Sequence, residues 1–131
     1  MSWGDYINSL QGSSPSILRS AIVSRADGSL WASHGDFKAT AAELKNLAAL
    51  YAAELKDAPL MGFDLEGVHF IVPRAEMPLL FGRQGELGVF AVCSKMTVVV
   101  ALYEGGSDTP VGQEVRSAVE AMGTYLENNH Y

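Results

Sequence analysis

The sequence predicts an α+β domain built on a central antiparallel sheet, and three observations support that class. Helical periodicity occurs near both ends of the chain and once inside it. Most of the remainder consists of short runs rich in β-branched and aromatic residues. Short connections with Gly, Pro or charged pairs separate these runs, which favours antiparallel neighbours. We therefore expect helix, two strands, helix, four or five strands and helix, with about six or seven strands in the sheet.

The first helix and the first hairpin are predicted from the opening third of the chain. Ser2 and Asp5 suit a helix start. Gly12 to Pro15 form a loop, and Asp27-Gly28 is a tight-turn pair that returns the strand ILRSAIVS into the strand SLWAS. Apolar residues of the helix follow i, i+3, i+4, i+7 spacing at Trp3, Tyr6, Ile7 and Leu10.

The internal helix and the strands after it carry equally local signals. Thr40 and Glu43 match a capping box, and Pro59 marks the end of the helical pattern. Apolar residues at helical spacing are Leu44, Leu47, Tyr51 and Leu55. The predicted strands are FDLEG, VHFIVPR, MPLLFGR, LGVFAVCS and MTVVVALY. The continuous apolar run VVVALY predicts helices on both faces of the sheet.

The last helix begins with Thr109 as N-cap and Pro110 as its first residue. Its apolar stripe is Val111, Val115, Ala118, Val119, Met122, Tyr125 and Leu126. Aromatic residues thus open and close the chain, and Trp31 lies in a short strand. If the termini meet, these rings form an aromatic slot suited to proline-rich peptides, whose backbone is preformed and poor in internal hydrogen bonds.

Composition narrows the class of protein. The chain has 131 residues, 48% of them hydrophobic, which predicts one domain over residues 1–131. A net charge of −6 with nine scattered basic residues disfavours nucleic acid and broad attraction to anionic lipid. Cys93 is the lone cysteine, no apolar leader follows Met1, and no apolar run is long enough to span a membrane, so we expect a reducing cytosol.

A search for catalytic or metal-binding residues gives none. His34, His69 and His130 occupy unrelated contexts without a neighbouring cysteine, which disfavours a metal site. Cys93 lies in a strand-like run without a histidine partner, so a buried, inert thiol is expected. We predict no enzymatic activity, no catalytic residues and no cofactor.

The ordered segments SWGDYINSL, ADGSLWAS, GVHFIVPR, LLFGRQGELGVFAV, VVVALYEG and TYLENNHY resemble those of the profilin family over almost the whole chain. The resemblance implies a profilin fold, with the terminal helices together on one face of the sheet and the internal helix or helices on the other. It also implies a monomeric, cytoplasmic, cytoskeleton-associated protein. Such a protein binds monomeric actin one to one, suppresses spontaneous nucleation, delivers actin for filament growth and binds proline-rich proteins such as formin-type nucleators.

Site residues follow from the resemblance, position by position. It places the proline-rich ligand on Trp3, Tyr6, Trp31, Tyr125, Leu126 and Tyr131. It places actin on Val72, Arg74, Arg83, Gln84, Gln113, Arg116 and Glu120, with the register near residues 107–113 left open.

Phosphoinositide binding is expected to be weak. The cations left for it are Arg74, Arg83, Lys95 and Arg116. Glu127 and Asn128 stand where vertebrate relatives carry an arginine pair. The alternative fold and function is a longin-like or roadblock-like scaffold domain without actin binding, whose function would lie on helix and strand edges.

Overall fold

A computed structural model describes residues 2–106 and 108–131 of the protein. Seven strands form one antiparallel sheet in the order β2-β1-β7-β6-β5-β4-β3. The elements in chain order are α1 (Trp3–Ser13), β1 (Arg19–Ser24), β2 (Leu30–His34), α2 (Ala41–Ala52), α3 (Ala58–Met61), β3 (Phe63–Leu65), β4 (Val68–Glu76), β5 (Leu79–Gln84), β6 (Leu87–Cys93), β7 (Thr97–Glu104) and α4 (Pro110–Asn128). The α+β class and the antiparallel sheet are confirmed.

Two apolar cores lie on opposite faces of the sheet. One joins α1 and α4 to β7 residues such as Val99 and Ala101, and the other joins α2 and the short helix α3 to Val98 and Val100. Successive residues of a strand point to opposite faces. The all-apolar sequence of β7 is therefore explained by a helix layer on each side, and the predicted placement of the helices is confirmed.

The predicted caps are present. Asp5 N donates to Ser2 Oγ and Glu43 N donates to Thr40 Oγ1, and each acidic side chain accepts in return from the N-cap backbone. Gly112 N donates to Thr109 Oγ1 at the start of α4. These bonds satisfy N–H groups that a helix start otherwise leaves unpaired.

Two local predictions needed correction. Asp27-Gly28 does turn the chain, but as part of a connection that runs from residue 25 to residue 29, not as a two-residue turn. The sequence predicts an internal helix that includes Leu55 and stops before Pro59, whereas α2 already ends at Ala52 and Pro59 lies near the N-terminus of the separate short helix α3. Proline is tolerated there because the first N–H groups of a helix have no intrahelical partner.

A β-bulge in β4 decides which of its side chains share a face. The register of β4 against β5 shifts between Ile71 and Arg74, and Pro73 lies in the shifted segment. Proline donates no ladder hydrogen bond and is tolerated at bulges. Ile71 and Arg74 consequently face the α4 side of the sheet, opposite Arg83 and Phe81, whereas Val72 belongs to the core on the α2 side.

Candidate functional sites at the joined termini and on the α4 face

The ends of the chain meet and bring five rings together. The ring centroid of Trp3 lies 4.8 Å from that of Trp31, 5.1 Å from that of Tyr131 and 5.6 Å from that of Tyr6. Tyr6 lies 5.9 Å from Tyr125 and 6.1 Å from Tyr131. These separations fall in the range of attractive aromatic pairs. We call these five residues the aromatic cluster.

The cluster combines a fixed base with exposed rings. Tyr6 is only 7% exposed, whereas Tyr125 is 46% exposed and Trp3, Trp31 and Tyr131 are half-buried. Burial raises the pKa of Tyr6, and the phenols of Tyr131 and Tyr125 raise it further. The Tyr6 hydroxyl therefore stays protonated well above neutral pH and can donate a hydrogen bond.

Tyr131 is held in place by its main chain. Its N–H donates to Leu126 O at 2.8 Å, and its main-chain oxygen accepts from Ser94 Oγ at 3.0 Å and from Met96 N. The main chain of Tyr131 is thereby docked on the turn between β6 and β7, which places the ring against Trp3 and Tyr6. This docking explains how a residue at the end of a chain, a position that usually frays, contributes to an ordered cluster.

Leu126 does not belong to the exposed cluster. Its side chain is fully buried in the core shared by α1 and α4. It cannot touch a ligand on the surface, so its part is to support the rings above it. The sequence assignment of Leu126 as a ligand-stacking residue is corrected accordingly.

A groove between α1 and α4 extends the cluster, and sequence reasoning missed it. Its volume is about 370 Å³, and Tyr6 and Tyr125 form part of its wall. The other lining residues are Ser9, Ser13, Ala118, Ala121 and Met122. Helical spacing was the available signal, because Ser9 and Ser13 follow Tyr6 at i+3 and i+7 and Ala121 precedes Tyr125 by four residues.

A second candidate surface lies on the α4 face of β4 and β5. Arg74 is the cross-strand partner of Phe81, and Arg83 is the partner of Ile71, so both cations lie on one face. A cavity of about 250 Å³ is lined by Arg74 and Arg116 together with Asp108. Three distant segments of sequence thus place basic side chains on one surface.

Gln113, Arg116 and Glu120 line one side of α4 at i, i+3 and i+7 spacing. Arg116 Nε donates to Glu120 Oε1 at 2.8 Å. This pair fixes the guanidinium beside the cavity. Of the loop residues whose register was left open, Ser107 lies outside the described part of the chain.

Of the residues assigned to the actin surface, Val72 lies apart from it and Gln84 lies at its edge. Val72 is only 6% exposed and faces the α2 side of the sheet, which corrects its assignment as a contact residue. Gln84 is exposed at the end of β5, where its Nε2 donates to His69 O at 3.0 Å. Ile71, by contrast, was missed although it is 52% exposed beside Arg83. Ile71 could have been predicted as a surface residue, because it is an apolar residue in a strand that also carries the exposed cation Arg74.

The four cations assigned to phosphoinositide do not form one patch. Arg83 pairs with Gly88 near one end of β6, whereas Lys95 follows the opposite end, seven residues beyond Gly88. The strand residues from Gly88 to Cys93 alone span about 17 Å at the usual rise of a strand. Only Arg74, Arg83 and Arg116 share a surface.

Burial raises the pKa of the Cys93 thiol, although the charge of nearby Arg25 partly opposes that shift. A thiol in this environment is a poor nucleophile at neutral pH. Across residues 2–106 and 108–131, no group of three or more His, Cys, Asp or Glu side chains is arranged to hold a metal ion. No helix within the same ranges is long and apolar enough to cross a bilayer.

The fold is that of solved profilin structures. A Schizosaccharomyces pombe profilin superposes with a TM-score of 0.87 at 30% identity, covering 99% of this chain and 100% of that one. Acanthamoeba castellanii profilin IA gives 0.85 at 27% identity, with coverage of 99% and 100%. In sequence, Profilin-1 of Caenorhabditis elegans is 46% identical over an alignment of 132 positions that covers 98% of each chain.

The profilin family model matches residues 1–131, and the chain belongs to the profilin family. Profilins are non-enzymatic actin-binding proteins, in agreement with the expected lack of enzymatic activity. Family membership also displaces the longin-like or roadblock-like scaffold as an explanation of the sequence.

Proposed function

We propose that this protein is a monomeric cytoplasmic regulator of actin that binds proline-rich ligands at the aromatic cluster and monomeric actin on the α4 face. The observation that supports the first site best is the docking of Tyr131 against Trp3 and Tyr6. Solved relatives bind both kinds of partner. Mouse profilin IIa forms a complex with a double repeat from the FH1 domain of mDia1 (TM-score 0.73, 18% identity). LokiProfilin2 forms a complex with rabbit actin (TM-score 0.75, 14% identity).

The aromatic cluster fits a proline-rich segment for physical reasons. Such a segment forms an extended helix with about three residues per turn and leaves its carbonyl oxygens free. The rings of Trp3 and Trp31 offer flat apolar faces to proline, while indole N–H and phenol O–H groups donate to carbonyls. We expect micromolar or weaker affinity, because ordering and desolvation offset much of the contact energy.

Oligoproline of about ten residues should change the fluorescence of Trp3 and Trp31. Trp3→Ala and Tyr131→Ala should each abolish the change while circular dichroism shows a folded protein. Leu60→Ala is the control, since Leu60 is highly exposed on α3, on the opposite face of the sheet. Binding that survives in both aromatic variants would disprove the site.

On the α4 face, Arg74, Arg83 and Arg116 form a basic set beside exposed Ile71 and the stripe of Gln113 and Glu120. We propose that this set, with Gln84 at its edge, meets monomeric actin one to one. Charges at the rim of an interface mainly set association rate and orientation. Because the aromatic cluster is formed by other residues, actin and a proline-rich ligand can bind together, so the protein can deliver actin to filament ends held by a formin-type nucleator.

Spontaneous nucleation of actin should fall in the presence of a large excess of this protein, while elongation of preformed filaments at their barbed ends continues. Oligoproline added to the actin complex should bind without releasing actin. Nucleation rates that stay unchanged at saturating protein would refute the actin proposal and leave the oligoproline result unaffected.

A further inference from the structure

A cavity of about 400 Å³ lies beside Trp31, at one end of the aromatic cluster. Arg25 and Lys95 line it, together with the apolar side chain of Met96 and the hydroxyl of Ser24. Among the described residues that line this cavity there is no carboxylate. Two cations thus lie beside an indole ring on a protein whose net charge is −6.

Arg25 is fixed by its surroundings, and both cations are free to meet an anion. Its Nη1 donates to Ser94 O at 2.9 Å, and its backbone N donates to Met96 O at 2.9 Å. The guanidinium retains further N–H donors. Throughout residues 2–106 and 108–131, neither Arg25 nor Lys95 takes part in an ion pair.

Three negative groups lie near these cations, and none of them lines this cavity. Glu127 lies beside Arg25 on the wall of a different cavity, and the main-chain oxygen of Tyr131 already accepts from Ser94 and Met96. Asp27 accepts from Ser29 N at 2.9 Å, and hydrogen bonds from Ser29 and Ser24 lower its pKa, so its carboxylate is engaged within its own turn. The C-terminal end of α2 reaches the cavity through Ala52 and carries a small negative partial charge. An incoming anion is therefore expected at the wall formed by Arg25 and Lys95.

We propose that Arg25 and Lys95 form an acid-recognising extension of the aromatic cluster, so that preferred proline-rich ligands carry Asp or Glu beside the proline run. The inference rests on the proposed proline-binding function. A cavity of this volume is about 9 Å across. A proline-rich helix advances about 3.1 Å per residue, so the acidic residue belongs within about three residues of the last proline that contacts Trp31.

A carboxylate of the same peptide fits this cavity better than a lipid headgroup does. Trp31 belongs to both the aromatic cluster and the cavity wall, so a peptide that extends past Trp31 reaches the cavity directly. Two cations in a recess offer little to a membrane surface, and the net charge of −6 opposes approach to anionic lipid.

The test compares peptides of ten prolines that carry two Asp, two Asn or two Lys at one end, with each pair placed first before and then after the prolines. Binding is measured by tryptophan fluorescence and calorimetry. The acidic peptide should bind about three- to tenfold more tightly than the Asn peptide at low salt, since exposed ion pairs contribute modestly. The preference should appear for one placement only, because the cavity lies at one end of the cluster.

Lys95→Gln should reduce that preference while affinity for the Asn peptide is retained, and adding Arg25→Gln should remove the preference. Lys38→Gln is the matched control, since Lys38 is exposed and is not among the residues that line the cavity. Equal affinity for all three peptides would overturn the inference and leave the proline-binding function standing, whereas no binding of any peptide would overturn both. If Lys95→Gln weakens phosphoinositide vesicle binding but leaves the peptide preference intact, these cations serve lipid and the inference is wrong.

Discussion

Glu43→Gln should destabilise the protein in a pH-dependent way, because this carboxylate joins two separate elements. Its Oε1 accepts from Thr40 N at 2.8 Å and from Glu66 N at 3.0 Å, and its Oε2 accepts from Gly67 N at 2.9 Å. The first bond caps α2, and the other two fix the turn between β3 and β4. Glu66 in turn pairs with Arg19 of β1 at 2.9 Å.

The size of the effect follows from these three bonds. A hydrogen bond to a charged group contributes about 1.5–3 kcal/mol, against about 0.5–1.5 kcal/mol for a neutral one. Glutamine keeps one carbonyl acceptor, loses the charge and presents an amide donor to Gly67 N–H. We expect a loss of about 2 kcal/mol in the free energy of unfolding at pH 7, reduced from the full sum because the site is partly exposed to water. For this chain length the melting temperature should fall by about 6–10 °C.

The sign of the pH dependence is fixed by the pKa. Burial raises the pKa of the Glu43 carboxyl, but bonds from the backbone of Thr40, Gly67 and Glu66 outweigh burial, and the pKa lies below its ordinary value. The carboxylate therefore stabilises the fold above its unfolded-state pKa, and this contribution is lost as pH falls through the lowered folded-state pKa. The difference between the parent protein and Glu43→Gln should shrink in acid.

Urea denaturation of both proteins at pH 7 and in acid, where each is still folded without urea, measures this difference. Glu114→Gln is the control, because Glu114 is exposed and its side chain makes no hydrogen bond to the described residues; it should change stability by less than about 0.5 kcal/mol. Equal stability of Glu43→Gln and the parent at pH 7, or a difference that does not shrink in acid, would refute the reasoning.

Three further predictions concern the surfaces. Arg74→Glu with Arg83→Glu should slow association with actin and spare oligoproline binding. Lys38→Glu with Lys45→Glu makes the same change in net charge and should leave the association rate with actin unchanged. Stopped-flow mixing compares the rates. Phosphoinositide vesicles at about 0.15 M salt should sediment little of the parent protein. Glu127 and Asn128 line a cavity together with Arg25, so Glu127→Arg with Asn128→Arg should increase the pelleted fraction. Robust pelleting of the parent protein would contradict the expected weak binding. Gly88→Ala should destabilise the fold by about 2 kcal/mol in urea titration, because the added Cβ would lie 2.6 Å from the buried Tyr103 ring that stacks on Phe90. Gly12→Ala in α1 is the control and should not destabilise the fold, because nothing lies within 4 Å of the added Cβ.

Local signals let the sequence determine the elements. Ser2, Thr40 and Thr109 cap helices through bonds to residues three positions away, so each cap can be predicted from a segment of four residues. The continuous apolar strand VVVALY required helices on both faces, and the structure has them. The aromatic residues at the two ends were equally visible, and the meeting of Tyr131 with Trp3 and Tyr6 was anticipated as an aromatic slot.

Only the tertiary structure decided which side chains share a surface, because that depends on register and on distant segments. In an unbroken strand Val72 and Arg74 would face the same way, yet the bulge in β4 turns Val72 into the core and leaves Arg74 beside Arg116 of α4. Packing between α1 and α4 buried Leu126, although it follows Tyr125 directly in sequence. Folding also carried Lys95 away from Arg83 and set it beside Arg25 and Trp31, since the two ends of β6 lie about 20 Å apart.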